Sequence, residues 1–163
     1  MATLETIQSE RRATAKRMLE GYRSFCGMHD SLLKLMQDAD SRLTSTTAQM
    51  SETVASGTAK DAIGSGIAKL EEASKQLEHV DGMIRAKQEI TTHLVMRVIE
   101  QHPQAGSVLE KRYLVPASEE EPLFEDIADA LGYSVDWTYQ LHLIGLDIVA
   151  SLLEDNKKKQ VIQ

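Results

Sequence analysis

The sequence is poor in the residues that build thick cores, cross-links and tight turns. Its 163 residues include one cysteine, Cys26, with three prolines and nine glycines, and aromatic residues make up 4% of the chain. One cysteine cannot form a disulfide within the chain, which is typical of a reducing compartment, so we expect a cytoplasmic protein. The few prolines leave room for long helices, and the few aromatic residues argue against a thick globular core.

Long apolar runs and an excess of basic charge are also missing. No apolar stretch approaches the ~20 residues that cross a bilayer, and the N-terminal segment carries acidic residues and has no apolar centre, so we expect neither a membrane partner nor a signal peptide. The net charge of −7 excludes a uniformly basic nucleic-acid binder. The sequence contains no phosphate loop, nucleotide fingerprint, nucleophile motif or metal-ligand spacing, so we expect no enzyme activity, cofactor or metal site.

Two stretches of heptad periodicity predict two long helices. Apolar and weakly polar residues recur every seven positions over residues 22–50 and again over 63–98, each with a companion series three residues later. This a/d pattern indicates a coiled-coil seam. A segment rich in Ser, Thr, Ala and Gly separates the two stretches at residues 51–65, where Gly57 can end the first helix. The sequence therefore predicts a long antiparallel helical hairpin over residues 1–101, with its turn in this segment.

Shorter helical segments predict a small unit over residues 104–156. Pro103 disfavours helix at the residue before it and separates this unit from the hairpin. Two short helices with an acidic loop between them are followed by a glycine turn, and Ser134 is placed to cap a last helix that should end near Glu154. The predicted fold is all-α, a helical hairpin followed by a helix-turn-helix unit, with a basic and polar tail over residues 157–163.

The end of the chain resembles the helix-turn-helix of sigma-factor region four. A small alanine stands where two helices would cross, and a glycine supplies the turn. Over roughly residues 20–150 the chain is similar to a phage and prophage family of unknown function, which joins a coiled helical hairpin to such a unit and is akin to late-gene transcription regulators. The residues that carry the resemblance are Ser56-Gly57-Thr58, Leu109, Arg112-Tyr113-Leu114, Phe124-Glu125-Asp126-Ile127-Ala128, Gly132-Tyr133-Ser134-Val135, Trp137, Tyr139, Leu141 and His142.

The resemblance implies a transcription regulator in a bacterial host cell, with DNA or a protein such as RNA polymerase as its partner. Family members carry basic residues at the positions of Asp136 and Gln140, whereas residues 115–156 of this chain hold ten acidic residues and no lysine or arginine. Because cations must neutralise DNA phosphates, this charge disfavours DNA contact. The candidate DNA- or partner-binding residues are Ser134, Asp136, Trp137, Tyr139, Gln140, Leu143 and Ile144.

Two functions remain open, a DNA-binding regulator and a protein-interaction or assembly module of the polymerase-binding or small-terminase kind. The last helix is apolar on more than one face, which favours a protein partner. A hairpin of two helices buries little surface alone, so we expect a homo-oligomer, with a dimer as the first choice. A basic patch near the N-terminus could meet nucleic acid or the acidic unit of a neighbouring subunit, or could be an ordinary solvated face; it consists of Arg11, Arg12, Lys16, Arg17 and Arg23.

Overall fold

The computed structural model describes residues 3–50, 57–115 and 119–161. Its helices are α1 (Leu4–Met50), α2 (Gly57–Gln101), α3 (Pro103–Tyr113), α4 (Phe124–Leu131) and α5 (Val135–Val161). These described ranges contain no strand, which confirms the all-α prediction. None of the helices in them has both the length and the apolar content that crossing a membrane requires.

The contacts divide the chain into two compact units, and the division cuts through α1 and α2. We call residues 1–22 with 86–163 the core unit, and residues 23–85 the seam unit. The division falls within the range 1–101 in which the sequence predicts the hairpin, and the boundary predicted after residue 101 stays a prediction. The N-terminal end of α1 belongs with the C-terminal helices because it packs with them into one apolar cluster.

The core unit buries a single apolar cluster to which all five helices contribute. Two helix crossings in it depend on glycine. A Cβ at Gly106 would lie 2.6 Å from the backbone Cα of Ile99, and one at Gly145 would lie 2.9 Å from Leu109 Cγ. Side chains larger than hydrogen therefore have no room where α3 meets α2 or where α5 meets α3. The cluster consists of Ala15, Leu19, Leu94, Val95, Val98, Ala105, Val108, Leu109, Tyr113, Ile127, Leu141, Leu146, Val149 and Ala150.

Local capping fixes where the short helices begin and end. The ring of His102 accepts a hydrogen bond from the Ala105 backbone N–H at 3.2 Å, and Pro103 takes the first helical position of α3. Gly132 ends α4 with φ of 70°, the left-handed conformation that glycine adopts without strain. Ser134 Oγ accepts a hydrogen bond from the Trp137 backbone N–H at 3.2 Å, which confirms the predicted cap of α5.

The predicted end of the last helix near Glu154 is wrong. Helix α5 continues to Val161, so the lysines at 157–159 lie within its last turns. The segment contains neither glycine nor proline to stop the helix, and cations near a helix C-terminus interact favourably with its dipole.

The seam unit brings the middle of α1 against the first half of α2. His29 Nε2 lies 3.2 Å from Asp81 Oδ1, and Leu43 packs where Gly66 leaves space. Among the described side chains of this unit, over residues 23–45 and 63–85, Val80 alone is buried. The heptad positions around it are half-buried, among them Phe25, His29, Leu32, Met36, Ala39, Leu43, Ile63, Leu70, Ala73, Leu77 and Ile84.

The predicted turn segment at 51–65 falls partly outside the described residues, at 51–56. From residue 57 onward it is helical, so the prediction that Gly57 ends the first helix is wrong. At the first position of a helix the backbone N–H lacks an intrahelical partner in any case, and glycine costs little there.

Candidate interaction surface on helix α5

The first turns of α5 present a row of solvent-exposed side chains. Of the predicted site residues, Ser134, Asp136, Trp137, Tyr139 and Gln140 are all exposed, and 43% of Trp137 is accessible to solvent. The side chains on the opposite face of the helix are buried, namely Thr138, Leu141 and His142. We call the exposed group Val135, Asp136, Trp137, Tyr139 and Gln140 the entry surface of α5.

Leu143 and Ile144 differ from the rest of the predicted site. Both are half-buried, and Ile144 packs against the apolar cluster of the core unit. Leu143 lines a groove beside Tyr139. The structure therefore places these two residues at the margin of the entry surface.

An aromatic cluster beneath the entry surface holds α5 against α3 and α4. His142 Nε2 and the Tyr113 hydroxyl are 2.8 Å apart. The Phe124 ring meets His142 edge to face at 5.1 Å and Tyr139 at 5.5 Å between ring centroids. Burial lowers the pKa of His142 to about 4, so its ring is neutral at pH 7. Tyr139 thus has one side packed on Phe124 and the other facing solvent.

Arg112 is committed to the acidic segment that precedes α4. Its Nη1 donates a hydrogen bond to the Pro122 carbonyl at 2.8 Å, and its Nη2 lies 2.6 Å from Glu121 Oε1. The guanidinium also stacks over the Phe124 ring at 4.3 Å from its centroid. These contacts tie the acidic segment to α3, and they leave the Arg112 charge compensated.

The predicted basic patch is largely engaged within its own chain. Arg12 donates two hydrogen bonds to the carboxylate of Asp147, at 2.7 and 2.6 Å, and Arg11 Nε lies 2.7 Å from Glu154 Oε1. The hydrogen bond from Arg12 holds the pKa of the Asp147 carboxyl below its ordinary value. The sequence predicts pairing of this patch with nucleic acid or with the acidic unit of a neighbouring subunit, whereas Arg11 and Arg12 pair with acids of their own chain.

The remaining members of the patch have other partners or surroundings, although Lys16 lines the same groove as Arg12. Lys16 lies 3.5 Å from Glu20, one helical turn further along α1. Arg17 is exposed and donates a hydrogen bond to Thr14, whereas Arg23 belongs to the seam unit and is half-buried there.

Sequence reasoning missed that the Arg11 and Arg12 partners are on α5. A signal was present, because Asp147 and Glu154 stand seven residues apart and therefore on one face of a helix whose residues 141–153 are mostly apolar. Two acids aligned on such a face indicate a matching pair of cations on the helix that covers it.

Charged and aromatic side chains surround the entry surface. A groove of about 500 Å³ lies beside it, lined by charged residues of α1 and by Phe124, Tyr139 and His142. Within the described ranges, no three His, Cys, Asp or Glu side chains are grouped closely enough to hold a metal ion. The entry surface itself combines aromatic, amide and acidic groups.

Comparison of the chain with protein-family models, curated proteins and solved structures found no match.

Proposed function

We propose that the chain is a transcription regulator of the phage or prophage kind, in which α3, α4 and α5 form a helix-turn-helix unit. Its support is that α3, α4 and α5 follow one another in the order that the residues of the resemblance predict. Helix α4 is followed by a left-handed glycine and then by Ser134, which caps a longer helix. In such units the start of the second helix of the motif is the part that meets the target. The exposed residues at the start of α5 occupy that position.

In the same proposal α1 and α2 form a long antiparallel hairpin. The contacts in each unit support it. As the residue number on α1 increases, the number of its contact residue on α2 decreases, as it does in antiparallel helices. The Leu19 carbonyl accepts a hydrogen bond from Thr91 in the core unit. In the seam unit His29 pairs with Asp81, and Leu43 packs at Gly66.

The unit acts, we propose, by binding a protein, with RNA polymerase as the first candidate. The observation that carries this is the chemistry of the entry surface, which holds an exposed tryptophan and an acid and no cation. Tryptophan and tyrosine are enriched among residues that dominate protein–protein binding energy. Trp137 and Tyr139 are both exposed on α5, and Tyr139 is held in place by Phe124.

Electrostatics points the same way. Neutralising a phosphate backbone requires lysine or arginine that is free to release counterions. Arg11 and Arg12 of α1 lie against α5, and each already pairs with an acid of that helix. Contact of these arginines with DNA would have to break those pairs.

The test measures binding of the full chain to purified RNA polymerase from the bacterium that carries the gene, by biolayer interferometry. We expect Trp137→Ala to weaken binding at least tenfold, which corresponds to ~1.4 kcal/mol. The matched control is Met96→Ala, since Met96 is similarly exposed on α2. Circular dichroism checks that both variants keep their helices. Equal binding by the two variants would show that the contact does not lie at Trp137 on α5. If the unaltered chain did not bind, RNA polymerase would not be the partner.

DNA remains the second candidate, favoured by the exposed, Ser134-capped start of α5, because a helix N-terminus attracts phosphate. Fluorescence anisotropy with labelled DNA from the same genomic neighbourhood, at low salt, is the most permissive test. If binding is saturable, falls steeply with added salt and is lost in Trp137→Ala, the partner of this surface is DNA and not a protein. We expect no such binding.

A further inference from the structure

The seam unit leaves its apolar seam open, and this observation is independent of the proposed function. Helices α1 and α2 cover each seam residue from one side only, so the heptad positions remain half-exposed. Leu35, next to the seam, is 61% exposed, and Ile67 is 48% exposed. Coiled-coil positions in a stable bundle are enclosed by neighbours on both sides. The unit therefore lacks part of its packing.

The open side of the seam contains a defined groove. It has a volume of about 590 Å³, and Leu35, Ala39, Leu43, Ile63 and Ala73 supply its apolar lining. All of these residues belong to the seam unit, so the described lining of the groove lies within it.

The rim of the groove carries both signs of charge. Asp38 and Arg42 of α1 and Lys69 of α2 line it, and neither Asp38 nor Lys69 makes an ion pair with another residue of the described ranges. A surface with an apolar centre and unpaired charges of both signs can complement a copy of itself across a twofold axis. A groove rimmed by one sign of charge would instead select a partner of the opposite sign.

We propose that two copies of the chain pack against each other through this face of the seam unit, so that side chains of each copy fill the groove of the other. The two seam units then form a four-helix bundle. Across the twofold axis, Asp38 of each copy faces Lys69 of the other. Leu35 of each copy enters the apolar lining of its partner, and the seam positions are then enclosed on both sides.

The available area matches what a stable dimer needs. Residues 23–45 and 63–85 give each helix about 35 Å of length at ~1.5 Å per residue. Two helices packed side by side are about 20 Å wide, so the face offers roughly 700 Å². Specific interfaces bury about 800 Å² on each partner. One face of the seam unit is therefore close to sufficient by itself.

The first test is the oligomeric state of the full chain by sedimentation equilibrium and light scattering. The expected mass at micromolar concentration is twice the 18.1 kDa of one chain. Leu35→Glu should weaken the dimer at least a hundredfold, because it places a charge in the apolar contact, and should leave helicity unchanged because the side chain is exposed in the single chain. The matched control is Met96→Glu, which changes an exposed apolar residue of the core unit and should remain a dimer.

The second test is a charge exchange that only a twofold contact between copies explains. Asp38→Lys alone and Lys69→Asp alone should each weaken the dimer about tenfold, because like charges then meet. Mixing the two variants should restore association, since both pairs in the mixed dimer have opposite charges.

A full chain that stays monomeric up to ~100 μM, well above the range of specific complexes, would overturn the proposal. So would a dimer that Leu35→Glu leaves intact, or a mixture of the two charge variants that associates no better than either variant alone.

Discussion

One heptad series of α2 behaves differently in the two units of this protein. In the seam unit its members Ile63, Leu70, Leu77 and Ile84 are half-buried, although each is a large apolar residue. In the core unit the series continues with Thr91 and Val98, and both are fully buried. A threonine is thus enclosed where leucines are not. The difference lies in the neighbours, because α3, α4 and α5 add a second layer in the core unit. Heptad spacing selects which side of a helix turns inward, and further helices decide how much of it is covered.

The two units should therefore differ most in the cost of truncating a leucine. Leu109→Ala in the core unit should lower the free energy of unfolding by about 3–4 kcal/mol, since it empties space in an enclosed cluster. Leu77→Ala, at a half-buried seam position, should cost about half as much. Urea unfolding at low protein concentration, with hydrogen exchange resolved by region, measures both. Equal costs would mean that the seam is as well enclosed as the core.

Acid should weaken the core unit through His142. Folding lowers the pKa of this ring from 6.5 to about 4, so the unfolded chain takes up the proton first. The stabilisation is complete above about pH 6.5 and is lost as the pH falls toward 4, about 3 kcal/mol in all. Unfolding followed between pH 7 and pH 4 should show this slope in the unaltered chain and a flatter one in His142→Phe. The exposed His93 provides the control, because His93→Gln should keep the slope. An unchanged slope in His142→Phe would assign the acid sensitivity to other groups.

Replacing an exposed glycine of the seam unit should instead increase the free energy of unfolding. Gly82 lies inside α2 and is exposed, and a Cβ there would meet nothing within 4 Å. Gly82→Ala should raise the free energy of unfolding of the seam unit by about 0.8 kcal/mol, because alanine restricts the unfolded chain and favours helix. Thermal unfolding with regional hydrogen exchange would detect it. The exposed Gly27 of α1 repeats the experiment on the other helix, and a loss at both positions would contradict the open surroundings.

The smallest effect should come from the ion pair that joins α1 to α5 in the core unit. Arg12 and Asp147 are both partly exposed, so their interaction is screened by solvent. A double-mutant cycle with Arg12→Gln and Asp147→Asn should give a coupling of about 0.5 kcal/mol, smaller again in high salt. A coupling above ~2 kcal/mol would show that the pair is shielded from water.

Periodicity and capping chemistry were sufficient to predict the elements of the fold. The break at Pro103, the left-handed glycine at 132 and the cap at Ser134 depend on neighbouring residues alone, and each is where the sequence predicts it. The end of α5 and the start of α2 were misplaced, because a weak helix signal at either end is decided by a few residues without a strong breaker. The all-α class follows from the same local signals.

Long-range partners could not be predicted in the same way. Heptad spacing shows that Leu77 and Val98 face inward, but not that only Val98 is covered by further helices. The engagement of Arg11 and Arg12 with α5 depends on which helix lies beside the start of α1, and no local pattern specifies that. For the candidate surface, the Ser134 cap allowed the residues at the start of α5 to be predicted. The half-burial of Leu143 and Ile144 could not be predicted, because it depends on how the other helices pack against α5.

The pairing of the first residues with the last also sets an order of events during synthesis. Gln8 contacts Asp147 across a separation of 139 residues, and Arg11 contacts Glu154 across 143. The apolar side of the N-terminal segment, with Ala15 and Leu19, has no enclosing cluster until nearly the whole chain has left the ribosome. The seam unit needs only residues 23–85 and is available earlier. In a nascent chain halted before α5, the seam unit would therefore be formed, whereas Leu19 would still be exposed to chaperones.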